Sequence, residues 1–135
     1  MSIEFPIILK RTRFGIIPDC LIRVDVLTKR GYQTMQFILD TGADFTMLPH
    51  HMAKLMNIDF KKCPQGVSYG IEGEGVRIFM SPIQIKIDHV ECKVRCLFSE
   101  KEDTPYLLGR ADILSIFKFT YDLPQKKIKL TKIDS

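Results

Sequence analysis

The chain has 135 residues, enough for one domain with a real core and no need of disulfide staples. Apolar residues make up 45% and charged residues 27%, a balance that excludes wholesale disorder. The net charge of +4 is too diffuse for a nucleic-acid footprint, and no run approaches the ~20 apolar residues of a membrane helix.

The apolar stretch Phe5 to Leu9 is short, is broken by Pro6, and is followed rather than preceded by Lys10, Arg11 and Arg13. It is therefore not read as a signal segment, and a soluble, cytoplasmic protein is expected. Ile22, Val24 and Val26 alternate with Arg23 and Asp25, and Met35, Phe37 and Leu39 alternate with Thr34, Gln36 and Ile38. Two strands joined by Lys29-Arg30-Gly31 predict a hairpin. Its second strand runs directly into Asp40-Thr41-Gly42. A helix is expected from Pro49 to Met56, with Met52, Leu55 and Met56 on one side. His50 and His51 are adjacent on it and are expected to face different directions.

Residues 66–80 hold Gly66, Gly70, Gly73 and Gly75 among apolar residues, the mark of a glycine-tipped hairpin. Ile83, Ile85 and Ile87 alternate with polar residues, and Val90 to Phe98 is a further strand. Cys92 and Cys96 lie near His89, but their spacing is wider than that of structural zinc pairs and no second pair accompanies them. On a strand they share one face with Val94 and Phe98, so the expectation is core packing and no metal. A charged loop follows at Glu100 to Thr104. Leu107-Leu108-Gly109 is a short apolar run, Ala111 to Phe117 is expected to be a helix, and Lys118 to Tyr121 and Lys126 to Ile133 are strands around Leu123-Pro124-Gln125. Seven or eight short strands with one or two short helices predict an all-β, barrel-like domain.

The stretch Phe37 to Asp44 carries the chemistry. An apolar strand delivers one carboxylate, Asp40, into a tight turn, partly withdrawn from water. Thr41 offers a hydroxyl for neighbouring backbone, and Gly42 permits close approach and unusual dihedrals. Taken alone, the tripeptide reads first as a surface turn made of ordinary turn residues. No serine or cysteine nucleophile has a base and an orienter at a spacing that supports one.

Leu39-Asp40-Thr41-Gly42-Ala43-Asp44 resembles the active-site signature of the retropepsins, the retroviral-type aspartic proteases. Leu107-Leu108-Gly109-Arg110 with the following run resembles that family's second signature, and the glycine-rich hairpin lies where the family has its flap. The resemblance spans about Leu21 to Leu130. It implies a closed β-barrel of the single-lobe acid-protease fold, with a domain over 20–135. Residues 1–19 are then an N-terminal extension, partly ordered or at a dimer interface.

The resemblance also assigns roles. Asp40 is the catalytic aspartate, and Thr41 locks the two active-site loops across the dimer. Gly42 presents its carbonyl to the substrate backbone. Ala43, Asp44, Tyr69, Gly70 and Ile71 bind substrate; Ile71, Pro82 and Leu107 are cleft candidates, with simple core or flap packing the favoured reading of each. Arg110 pairs with Asp44 and, with Gly109, supports the site. Glu72 and Glu74 make the flap tip more acidic than the retroviral form. Ile128 to Ile133 and Ile7 to Leu9 are candidates for stitching the dimer, or else an edge strand blunted by lysines.

The sequence holds one Asp-Thr-Gly, because Asp103-Thr104-Pro105 has proline where glycine is needed. A homodimeric endopeptidase without a cofactor, acting on peptide or protein substrates, is the leading expectation. The alternative is a catalytically silent or self-processing-only module of the same fold that binds peptides or dimerises. Nucleic acid, metal and membrane are not expected partners.

Overall fold

Strand alternation sets the architecture, and the computed structural model, which describes residues 2–69, 73 and 75–133, realises it in twelve strands. β1 (Ser2–Pro6) opens the chain, and β2 (Ile8–Thr12) and β3 (Gly15–Asp19) form a ribbon. β4 (Leu21–Thr28) and β5 (Gly31–Leu39) pair antiparallel from Leu21↔Ile38 to Thr28↔Gly31, the hairpin expected from the sequence. Gly31 turns the chain with φ of 96°, and the buried Thr28 hydroxyl ties the turn by donating to the Gly31 carbonyl at 2.8 Å.

β6 (Thr46–Pro49) runs parallel to β9 (Val90–Ser99), and β9 runs antiparallel to β8 (Gly75–Ile87). The two-residue β10 (Leu107–Leu108) inserts between β5, to which it is parallel, and β6, to which it is antiparallel. β8 then returns to β4 through Asp25↔Lys86 and Val26↔Ile85, so the sheet closes on itself as a ring. A closed ring leaves few unpaired edges. Its interior is filled by the alternating residues, including Val24, Val26, Phe37, Leu48, Ile85, Ile87, Val94, Phe98 and Leu108. The all-β class expected from the sequence is thus present, with its main sheet closed on itself.

β7 (Gln65–Tyr69) pairs only with the outer half of β8, ending at Tyr69↔Gly75, and extends the glycine-tipped hairpin beyond the ring. Below it, β11 (Phe117–Asp122) and β12 (Lys127–Lys132) join β1 in a second sheet of order β1-β12-β11. β12 is the middle strand of this sheet, not an edge: Ile128 and Leu130 are buried, and both neighbours belong to the same chain.

Three expectations are corrected. Ala111 to Phe117 is not a helix: residues 111–116 are a run of turns and Phe117 opens β11, because Asp112 takes a φ of 71° that a right-handed helix cannot contain. α1 is confined to Met52–Leu55: Pro49 ends β6, and Asn57 with φ of 57° stops the chain beyond Met56. Met52 is buried, while Leu55 faces outward. His50 and His51 do not diverge: both pair with Glu102, His50 Nε2 at 2.7 Å from Oε1 and His51 Nδ1 with Oε2, since the turn between β6 and α1 presents both rings to one carboxylate.

Cys92, Val94, Cys96 and Phe98 line one buried face of β9, as their spacing predicts. Burial, with the nearby Asp112 charge, pushes the Cys92 thiol up to about 11, and burial alone raises Cys96. Both are inert core groups at neutral pH. Among the described residues, no group of three or more His, Cys, Asp or Glu could hold a metal ion, and no helix is long and apolar enough to cross a membrane.

Candidate active site

Asp40 leaves β5 with its backbone clamped from both sides. Leu39 N–H donates to the Cys20 carbonyl at 2.8 Å, and Asp40 N–H donates to the Leu108 carbonyl at 3.0 Å. The side chain is half-buried, while Thr41 and Gly42 are exposed. Asp40 Oδ1 accepts from Gly42 N–H at 3.0 Å, and the Asp40 carbonyl accepts from Ala43 N–H at 3.2 Å. The carboxylate is therefore oriented by its own turn, with Oδ2 left for other chemistry. Gly42 does not have a left-handed φ. What singles it out is closeness, since a Cβ there would stand 3.3 Å from Asp40 Oδ1.

The two signature segments, far apart in the chain, are stitched together here. Arg110 N–H donates to the Ala43 carbonyl at 2.9 Å, and Ala111 N–H donates to the Asp44 carbonyl at 2.8 Å. Gly109 N–H reaches the fully buried Thr46 hydroxyl at 3.3 Å. A Cβ on Gly109 would lie 2.4 Å from the Phe45 carbonyl carbon and oxygen, so only glycine lets the strands approach this closely. The Arg110 guanidinium pairs with the Asp44 carboxylate, as expected. Both partners are largely exposed, so this ion pair orients more than it stabilises.

Two contributors escaped the sequence reading. Asp112 stands in for the missing helix by taking three hydrogen bonds from Arg95 on β9: backbone N–H at 2.7 Å, Nε at 3.1 Å and a longer one from Nη2 at 3.4 Å. Burial pushes the Asp112 carboxyl up, but the Arg95 backbone and guanidinium outweigh it and hold the group below its ordinary value. The same guanidinium lies 5.4 Å from the centre of the Phe45 ring, linking β9 to the segment that packs on Gly109. The other contributor is Tyr121 on β11, whose half-exposed phenol lies near Cys20, Thr41 and Asp40. Burial, the Cys20 thiolate and the Asp40 carboxylate raise this phenol, while Thr41 lowers it. No local pattern announces either residue, since each acts on a segment distant in sequence.

The other candidates divide. Leu107 is half-buried in β10, two residues along the strand from Gly109. Tyr69 is 72% exposed on the hairpin. Gly70 and Ile71, with Glu72 and Glu74, lie outside the described residues. Pro82 does not join the site: it lines a separate hollow with Leu27, Met56, Asn57 and Ile58, because it sits at the middle of β8, away from the hairpin end.

The comparisons agree with this geometry. Residues 28–115, well over half of the chain, match the family described as "gag-polyprotein putative aspartyl protease". A retropepsin-like aspartic protease from Rickettsia conorii is similar in structure, with a TM-score of 0.66 and 19% identity over 96% of this chain and 98% of that one. EIAV protease, solved with the inhibitor HBY-793, gives a TM-score of 0.54 and 25% identity over 68% of this chain and 82% of that one. No curated protein matches by sequence. A carboxylate held at the end of a closed-ring strand, braced by a Gly-Arg segment from the far side of the fold, thus accompanies a match across most of the chain, and the protein belongs to the gag-polyprotein aspartyl protease family, with a retropepsin-like fold.

Proposed function

We propose that the protein is an aspartic endopeptidase active as a homodimer, with one Asp40 from each subunit. The observation that carries this reading is the single Asp40, its backbone and Oδ1 fixed, at the exposed Thr41-Gly42 turn. Amide hydrolysis by this chemistry needs two carboxylates. Two like charges about 3 Å apart cannot both ionise easily, so the pair holds one proton between them. The ionised Asp40 takes a proton from a bound water as its oxygen attacks the scissile carbonyl carbon. The protonated Asp40 donates to the carbonyl oxygen. Collapse of the tetrahedral intermediate breaks the C–N bond, and the amine leaves with a proton returned from the dyad. One chain supplies one such carboxylate, and a two-fold axis supplies its mate in matching geometry.

The remaining roles follow from position. Thr41 is exposed beside Asp40, where its hydroxyl can meet the partner's loop, and Gly42 and Asp44 border the space a peptide backbone would occupy. The β7–β8 hairpin is the flap, and its glycines give it the freedom to close and exclude water. An extended peptide would add main-chain hydrogen bonds between flap and turn. Glu72 and Glu74 in the flap sequence favour basic substrates. The four free thiols fit a reducing, cytoplasmic setting.

The test is cleavage of a peptide library by wild type and Asp40→Asn. The variant is expected to lose at least about 10³-fold in rate, since it removes the group that activates water. Equal cleavage by both proteins would take Asp40 out of the mechanism. No cleavage by wild type, with dimers present, would favour the silent peptide-binding module.

A further inference from the structure

The β2–β3 ribbon stands apart from the rest of the fold. Its strands pair only with each other, from Ile8↔Asp19 to Thr12↔Gly15, and every residue from Ile8 to Pro18 except Thr12 is exposed. Phe14, in the turn at its tip, is 91% exposed, Ile16 is 60% exposed, and Ile8, Leu9 and Ile17 are each about half exposed. Directly opposite residues share a face of an antiparallel pair. One face therefore carries Ile8, Lys10 and Ile17, and the other carries Leu9, Arg11, Ile16 and Pro18. Neither face is covered by any of the described residues. A strand pair that packs on a protein body is apolar on the packed side and polar on the other. This ribbon is apolar on both, and exposed apolar surface of this kind marks a contact.

Charge marks the same segment. Between Glu4 and Asp19 the sequence holds Lys10, Arg11 and Arg13 and no acidic residue. Each face carries one cation, and Arg13 lies at the tip with its guanidinium 5.3 Å from the centre of the Phe14 ring. The root is fixed where the tip is free. Buried Ile7 donates its N–H to the Lys126 carbonyl at 2.8 Å, and the Cys20 carbonyl accepts from Leu39 N–H at 2.8 Å. From the tip back to Lys10 and Ile17 is about 10 Å at the ordinary rise of a strand. Amphipathic segments sink about 5–10 Å into the headgroup layer of a bilayer, a comparable depth. Residues 1–27 fall outside the segment that matches the family, so family membership assigns the ribbon no role.

We propose that the ribbon tip docks on an anionic bilayer surface, with Phe14, Ile16 and Ile17 entering the headgroup layer and Lys10, Arg11 and Arg13 pairing with lipid headgroups. Both apolar faces are used, because the layer surrounds an entering tip on both sides. The aliphatic stems of the basic residues lie along apolar surface while their charges stay at headgroup level. There each cation gains from the negative surface potential. A nucleic acid would use the same cations but leave Ile8, Leu9, Ile16 and Ile17 uncovered, and the single ring of Phe14 offers little for bases to stack on. The contact is peripheral and needs no spanning helix. It goes beyond the peptidase reading and does not depend on it, since binding is measured on the whole chain without cleavage.

The test uses the full chain with vesicles of phosphatidylcholine alone or mixed with an equal part of phosphatidylserine. Wild type is expected to sediment with the mixed vesicles at least about tenfold more tightly than with phosphatidylcholine alone, and less tightly as salt rises. Lys10→Gln/Arg11→Gln/Arg13→Gln is expected to weaken that binding roughly 100-fold. Phe14→Ser is expected to weaken it at least about tenfold. All four side chains are exposed, so these variants fold as wild type does. The chain has no tryptophan, so Phe14→Trp supplies a single reporter at the tip, whose emission should shift to the blue on the mixed vesicles. Failure of wild type to sediment with the mixed vesicles, or an emission that does not move, overturns the proposal. Equal binding by wild type and both weakened variants removes the ribbon from the contact. If wild type binds a single-stranded oligonucleotide at the same salt and leaves the vesicles free, the ribbon is a nucleic-acid contact and the lipid proposal falls.

Discussion

Gly109 shows how one missing side chain organises the site. Its N–H meets Thr46, and its α-carbon lies against the Phe45 carbonyl, so Gly109→Ala forces a methyl into backbone that has no room to yield. Urea unfolding should show a loss of about 3 kcal/mol, at the upper end for overpacking, and peptidase activity should fall with it because Arg110 and Ala43 share the same contact. A near-neutral result would mean that the Phe45 segment moves freely. Asp112 is the second decisive residue. Asp112→Asn weakens the Arg95 contacts and should cost about 1 kcal/mol at neutral pH. Because Arg95 lowers the folded carboxyl below its ordinary 3.8, this stability is fully present above about pH 4 and is lost as pH falls through the folded value. Wild type and variant curves should therefore converge only in strong acid. A constant gap at all pH values would assign the effect to shape instead of charge.

At the scale of elements, the two-residue β10 has an influence out of proportion to its length. It joins β5 to β6 and thereby completes the ring, and its Leu108 carbonyl holds Asp40 N–H. Leu108 is fully buried, so Leu108→Ala opens a cavity at the junction of both signatures. The expected loss is about 3 kcal/mol by chemical denaturation, with activity reduced further because Asp40 loses its packing support. Stability lost with activity per folded molecule intact would separate the core from the site. The sequence made Leu107-Leu108-Gly109 visible as a short apolar run, but no local rule states which strands flank it. Parallel insertion between β5 and β6 depends on non-local pairing, which period-two alternation does not encode. The expected 111–117 helix failed for a related reason: its composition suits a helix, yet the Arg95–Asp112 contacts accompany a left-handed residue that ends any helical run.

For the whole molecule, the governing expectation is that activity belongs to the dimer. Specific activity should fall on dilution through the dimer transition and rise again with protein concentration. Constant specific activity at concentrations where sedimentation shows only monomer would remove the second subunit from the reaction.

Much of this was written in the local sequence. The alternation of Ile22, Val24 and Val26 against Phe37 and Leu39 fixed a hairpin and its buried face, because side chains on a strand must alternate. The apolar run before Asp40 fixed where a carboxylate emerges. Tertiary structure alone decided that β10 braces that carboxylate, that Tyr121 stands beside Thr41, that both histidines share Glu102, and that residues 8–19 project as an uncovered ribbon. Each of those outcomes depends on which distant segments meet, and contacts between distant segments leave no periodic trace in the residues that make them.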